Sequence, residues 1–128
     1  MNIEKMSNEI EEWFQSDLEG KVKAIQIATV GCSTCKQMEA IYSELSEKND
    51  WFEYRVVDGW SLPFPPPSTP ISYFRYGLFR DDWIQPEIRP GLGNLMGVEN
   101  ELKIMKRMVD TGKPVPEIEE ELKMEGML

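Results

Sequence analysis

The stretch that decides the fold is residues 22–38, VKAIQIATVGCSTCKQM. Val22, Ile25, Ile27 and Val30 make an apolar, partly β-branched run over 22–30 that reads as a strand. After Lys23 the run carries no charge, which suits a central strand covered on both faces. Gly31 breaks it. From Cys35 the period changes, and Met38, Ile41, Tyr42 and Leu45 form a helical stripe that extends to about Lys48. WFEYRVV (51–57) is the next strand-like run. The switch of period from two to 3.6 and back makes 22–57 a βαβ unit.

Upstream, Ile3, Met6, Ile10, Trp13, Phe14 and Leu18 recur at helical spacing with acids between them, so 3–18 reads as an amphipathic helix stopped near Gly20. Downstream, GWSLPFPPPSTP (59–70) holds five prolines, which forbid a regular helix or a central strand. ISYFRYG (71–77) is strand-like, and LFRDDWIQPEIR (78–89) reads as a weaker second strand whose Pro86 suits a sheet edge. PGLGNLMG (90–97) is a turn-rich link. Val98, Leu102, Met105, Met108 and Val109 then mark a helix closed by Gly112 and Pro114, with both methionines expected in the core. The remainder, with Pro116 at a position suited to a helix start, reads as a short acidic helix or tail whose acids at 117–121 form a solvated face.

The expected architecture is therefore an α/β fold ordered α-β-α-β-loop-β-β-α. It has a four-stranded mixed sheet with helices on both faces and an acidic C-terminal tail. We divide the chain into a domain over 1–112 and an extension over 113–128.

Composition narrows the function. The chain has 128 residues, 41% hydrophobic and 29% charged, as in an ordinary globular domain. A net charge of −9 argues against nucleic acid and anionic membrane as partners, since both call for clustered Lys and Arg. No apolar run approaches the roughly 18 residues of a membrane span, and the acidic N-terminus is unlike a signal peptide. The expected location is thus the cytoplasm, where a static structural disulfide is unusual. The chain has no histidine, which removes Cys–His and Ser–His–Asp nucleophiles and histidine-ligated metals.

Cys32 and Cys35 are the only cysteines. They are a working dithiol, part of a metal site, or two small buried residues. A metal would need two further ligands, without a third cysteine or a histidine to supply them, so no metal is expected. Their place where strand becomes helix argues against simple burial and favours a redox dithiol. First-turn N–H groups and the helix dipole favour a thiolate at Cys32. Cysteines in such sites have pKa values of roughly 3.5 to 7.5, against about 8.5 when free. The i, i+3 spacing sets Cys35 one turn away, at the start of the apolar stripe, so that Cys32 attacks and Cys35 resolves. Ser33 and Thr34 either cap the helix or donate to the sulfur. Lys36 either adds a favourable charge or is a solvated helix residue.

With CSTC after the strand AIQIATV, the βαβ unit, and STPISYFRYG some 35 residues on, the chain resembles the thioredoxin-like superfamily. The resemblance covers residues 3–111 by element order. It implies a cis-proline at the start of the third core strand, facing the redox pair. Pro70 matches that position, and the backbone of Thr69 would be free to pair with an incoming extended chain. Three features depart from the family. Ser-Thr stands between the cysteines, where thioredoxins typically have Gly-Pro and glutaredoxins Pro-Tyr. Gln26 stands where thioredoxins place a buried aspartate that moves the resolving cysteine's proton; it can hydrogen-bond but cannot titrate. GWSLPFPPPS replaces the usual helix after the second strand, and no glutathione clamp is recognisable.

The resemblance implies a thiol–disulfide oxidoreductase that acts on protein disulfides as a monomer, with no bound cofactor. Regeneration would come from a flavin-dependent reductase or from glutathione. The alternative is a non-catalytic binding or redox-sensing module. Trp60 and Phe64, on the proline loop, either contact a partner chain or cover the sheet where the helix is missing; aromatic burial makes covering the first expectation.

Overall fold

Run 22–30 forms the strand β2 (Val22–Ala28), every residue of which is buried. The computed structural model describes residues 3–16, 20–64, 66, 68–76, 87–113 and 115–126. Around β2 the elements follow in the order β1 (Ile3–Glu4), α1 (Asn8–Gln15), β2, α2 (Ser33–Lys48), β3 (Phe52–Asp58), β4 (Ile71–Tyr76), β5 (Glu87–Pro90), α3 (Leu95–Thr111) and α4 (Val115–Met124). The sheet runs β1-β3-β2-β4-β5. β3 lies parallel to both β1 and β2, whereas β4 is antiparallel to both β2 and β5.

The sheet thus has five strands among the described residues rather than four. The extra one is β1, assigned above to the first helix, and Ile3 pairs in register with Val56. The helix begins only at Asn8, because the Ser7 hydroxyl accepts from the N–H of Ile10 and caps it. Ile3 and Met6 fit a helical period, but both lie ahead of the Ser7 cap and so outside the helix, where Ile3 is free to extend. The strand predicted over 22–30 stops at Ala28, and Val30 is 84% exposed. Leu18 and the hairpin run 77–86, with Pro86, lie outside the described residues.

Alternation along β2 builds two cores. Val22 and Ala24 face α2 and α3 and pack with Tyr42, Phe52, Phe74 and Leu102. Ile25 and Ile27 face the other way, toward Ile10 of α1 and half-buried Trp13 and Phe14. Lys23 shares that second face, 3% exposed, with its ammonium donating to the carbonyls of Trp13 and Ser16 at 2.7 Å each. Those are the orphan carbonyls of the last turn of α1, which explains how a lysine is tolerated there. On the opposite layer, Val98, Leu102, Met105 and Val109 of α3 are buried as the spacing requires, and Met108 packs against them. Gly112 ends α3 in the left-handed conformation. α4 rests on α3 through buried Ile118 and Leu122, with Glu121 and Glu125 paired to Arg107 and Lys113.

Candidate redox site

β2 ends beneath the start of α2, and Thr29–Gly31 make the turn between them. The N–H of Cys32 donates to the Thr29 carbonyl at 3.2 Å, and Gly31 takes a φ of 83°, which only glycine adopts freely. Cys32 is the N-cap of α2, and its own sulfur accepts the N–H of Cys35 at 3.1 Å. Neither Ser33 nor Thr34 is the cap, which closes the capping alternative for both. Ser33 is exposed, while the Thr34 hydroxyl lies 3.3 Å from the Cys32 sulfur.

A disulfide joins Cys32 and Cys35, whose Cα atoms are 5.2 Å apart. The two sulfurs are unequal in access. Cys32 is half-buried, whereas Cys35 is fully buried against Ala28 and Val56. Lys36, next along, is exposed.

The second wall of the site comes from the loop before β4. The Thr69–Pro70 peptide is cis. The carbonyl oxygen of Thr69 lies 3.9 Å from the Cys32 sulfur, and its hydroxyl 3.8 Å. Buried Pro70 is tied to the far strand by the N–H of Gly91, which donates to its carbonyl at 2.9 Å. Strand pairing between β2 and β4 brings Ile27 opposite Ile71 and so sets the two loops side by side. Residues 32 and 69, far apart in sequence, therefore meet at one end of the sheet.

Behind the pair, Gln26 is fully buried and donates from Nε2 to the Cys35 carbonyl at 2.9 Å. Its Oε1 has no hydrogen-bond partner among the described residues. The site also includes a residue the sequence reading passes over. The Thr29 hydroxyl lies 3.1 Å from that of Thr69. A threonine at a strand end is ordinary, and the only available hint was a polar residue closing an apolar run.

Trp60 stands apart from the sulfurs' own contacts. It sits in the 3-10 turn Gly59–Ser61, whose start is capped by the Asp58 carboxylate accepting from the Trp60 N–H at 3.0 Å. Trp60 is 74% and Phe64 85% exposed, so neither covers the sheet. That expectation is corrected: Leu62 packs on the α1 side of the sheet instead. Leu62 is half-buried there, while Trp60 and Phe64 face solvent.

Among the described residues no group of three or more His, Cys, Asp or Glu side chains is placed to hold a metal ion. Likewise, no helix among them is long and apolar enough to cross a membrane.

The architecture and the place of the cysteine pair at the start of α2 define a thioredoxin-like fold. The chain is similar in structure to chloroplastic thioredoxin z, with a TM-score of 0.66 and 12% identity over 84% of this chain and 96% of that one. It is similar to the thioredoxin of Fasciola hepatica, with a TM-score of 0.62 and 13% identity over 82% and 99%. The same holds for the reduced thioredoxin pre-protein of Schistosoma mansoni, at 0.61 and 19% over 80% and 94%. No family model matches the sequence, and no curated protein matches it. At these identities the likeness establishes the fold.

Proposed function

We propose that the chain is a thiol–disulfide oxidoreductase that exchanges a disulfide with protein substrates through Cys32 and Cys35. In the reducing direction the Cys32 thiolate attacks one sulfur of a substrate disulfide. That bond breaks, a Cys32–substrate disulfide forms, and the other substrate sulfur leaves as a thiolate that takes a proton from solvent. Cys35 then loses its proton and attacks the Cys32 sulfur, releasing the second substrate thiol and closing the Cys32–Cys35 disulfide. The substrate gains two electrons and two protons, which a flavin-dependent reductase or glutathione returns to the pair. The expected setting is the cytoplasm, and the expected working form a monomer.

One observation carries this reading: the accessible sulfur is the one at the helix start, and the other is buried behind it. A thiolate at Cys32 keeps the Cys35 N–H as a charge-assisted donor, which favours it over the thiol. Thr69 offers its backbone beside the sulfur for an extended substrate, with Pro70 fixing the edge. Trp60, exposed on a capped turn, offers an apolar contact for the substrate chain. Gln26 holds the Cys35 carbonyl but cannot relay its proton, so resolution depends on water or the leaving thiolate. Ser33 and Lys36, both exposed, are left with the lesser part of tuning the field around the thiolate.

Reduction of insulin disulfides with dithiothreitol, glutathione or a flavin-dependent reductase as electron source tests this. Wild type is expected to accelerate the reaction and Cys32→Ser to abolish the acceleration; wild type without effect under any reductant sinks the proposal. A second reading, a binding module with a sensory dithiol, draws on exposed Trp60 and Phe64. It requires partner capture that survives Cys32→Ser and is lost in Trp60→Ala.

A further inference from the structure

Thr69 carries two groups into the site, and only its backbone is used by a substrate strand. Its hydroxyl is 3.8 Å from the Cys32 sulfur and 3.1 Å from the hydroxyl of Thr29. We infer that Thr29 is a positioning residue, which holds the Thr69 hydroxyl as a hydrogen-bond donor to the Cys32 thiolate in the reduced protein.

Each threonine hydroxyl has one proton to give and two lone pairs. Between Thr29 and Thr69 only one of the two hydroxyls donates, and heavy-atom positions allow either direction. A disulfide sulfur is a weak acceptor, so in the oxidised protein neither direction is strongly preferred. Reduction changes this, because a thiolate is a full negative charge and attracts a charge-assisted hydrogen bond. The Thr69 O–H then turns to the sulfur, and the Thr29 O–H donates into the lone pair of Thr69 that this turn leaves open. The two bonds polarise each other in the same sense. No proton leaves its oxygen, and no covalent bond changes. Both side chains are β-branched and stiff, so the pair holds its geometry without help.

With the Cys35 N–H at 3.1 Å and the Thr34 hydroxyl at 3.3 Å, the Thr69 hydroxyl makes a third donor around one sulfur. The three come from separate points, α2's backbone, α2's first turn and the loop before β4. Only the last depends on a residue outside its own segment. α2 carries the ionisable groups Cys35, Lys36, Glu39, Tyr42, Glu44, Glu47 and Lys48, and β3, packed beside it, carries Glu53, Tyr54, Arg55 and Asp58. A change at Thr29 leaves all of them in place.

This inference rests on Cys32 being the reactive thiol, and its test does not need turnover. The fully reduced protein is alkylated with iodoacetamide across pH 4 to 9, the Cys32 adduct is followed by mass spectrometry, and the thiolate pKa is read from the rate profile. In Thr29→Val that pKa is expected to rise by about 0.5, a threefold loss of thiolate at a pH below it. Thr69→Val should raise it further, Thr29→Ser should restore the wild-type profile, and the double valine variant should match Thr69→Val alone. A Thr29→Val profile that superimposes on wild type overturns the inference, as does a double variant shifted by the sum of the two. If Thr29→Val is poorly folded by circular dichroism, the Thr29→Ser and Thr69→Val pair decides: a serine variant shifted as far as Thr69→Val refutes the hydroxyl role. Insulin reduction by wild type is scored separately. Its absence alongside a shifted pKa would fail the enzymatic proposal and leave this inference standing.

Discussion

Gln26 donates from Nε2 to the carbonyl oxygen of Cys35 at 2.9 Å, and both residues are fully buried. The bond joins the central strand to the first turn of the reactive helix, so it fixes the depth at which Cys35 sits. It leaves Oε1 with no hydrogen-bond partner among the described residues, and an unmet buried carbonyl costs about 1–3 kcal/mol. Gln26→Met keeps the volume, loses one hydrogen bond and removes the unmet acceptor. Its stability is expected within about 1 kcal/mol of wild type, because those two effects oppose. Urea denaturation checks this, and a loss beyond about 3 kcal/mol would show that the single bond to Cys35 dominates.

Gln26→Asp makes the converse test. A carboxyl in this buried site is pushed above the usual carboxylate range by desolvation. The native state then holds its proton at pH values where the unfolded chain has released it. Stability should therefore fall as pH rises from 4 to 8, in the sense opposite to a salt-bridged acid. Denaturation midpoints of the variant and wild type at both ends of that range give the sign. A difference that does not change with pH would mean that the site is wet.

Trp60 and Phe64 supply a prediction about binding without stability. Each is mostly exposed, so Trp60→Ala and Phe64→Ala are expected to change folding stability by less than about 0.5 kcal/mol. If the loop contacts substrate, KM for a protein disulfide should rise by roughly 10-fold for Trp60→Ala, with the rate toward a small disulfide unchanged. Equal loss toward both substrates would place the effect in the sulfur chemistry instead.

Lys23 closes the end of α1 from within the sheet. Lys23→Met keeps the aliphatic stem but leaves the carbonyls of Trp13 and Ser16 without this donor. Loss of a charged donor to these part-buried carbonyls should cost about 1.5–3 kcal/mol. It also removes one of the two cations at the Trp13 ring, 5.2 Å from its centroid, and leaves Arg55 at 5.0 Å. Guanidinium denaturation measures it, and Trp13 fluorescence should report a loosened α1 before global unfolding.

The helix α4 should behave as part of the folded unit. Ile118 is fully buried, so Ile118→Ala should cost about 2–4 kcal/mol. The exposed pair beside it acts differently. A hydrogen bond from Arg107, and then its charge, hold the Glu125 carboxyl below the usual carboxylate range. A lowered native pKa stabilises above the unfolded value and is lost as pH falls through the native one. Amide exchange over α4 should thus quicken in acid, and Glu125→Gln should remove that part of the acid response. Salt should weaken it too, since Glu125 is exposed and Arg107 only half-buried.

What could be read in advance follows from how local each signal is. The uncharged run after Lys23 gave the central strand, and the period change at Gly31 gave the helix start, because both are short-range patterns. Pro70 opposite the cysteines came from family resemblance; the structure has the Thr69–Pro70 peptide in cis, with the Thr69 carbonyl 3.9 Å from the Cys32 sulfur. β1 was hidden because two residues carry no period, and Val30 because a β-branched residue after a strand looks like more strand. Trp60 and Phe64 misled on hydrophobicity alone: both are exposed, and Leu62 takes the inward place in that loop. The Thr29–Thr69 contact spans 40 residues, and nothing local to either residue announces it.

The central claim is that Cys32 and Cys35 form an exchanging couple, not a structural staple. Equilibrating the protein in graded reduced and oxidised dithiothreitol and glutathione buffers, and quantifying the Cys32–Cys35 disulfide at each ratio, tests it most directly. We expect a reversible two-electron couple between about −270 and −120 mV, the range over which dithiol reductants and oxidants work. A pair that fails to equilibrate, or that resists reduction below about −300 mV as structural disulfides do, would contradict the account.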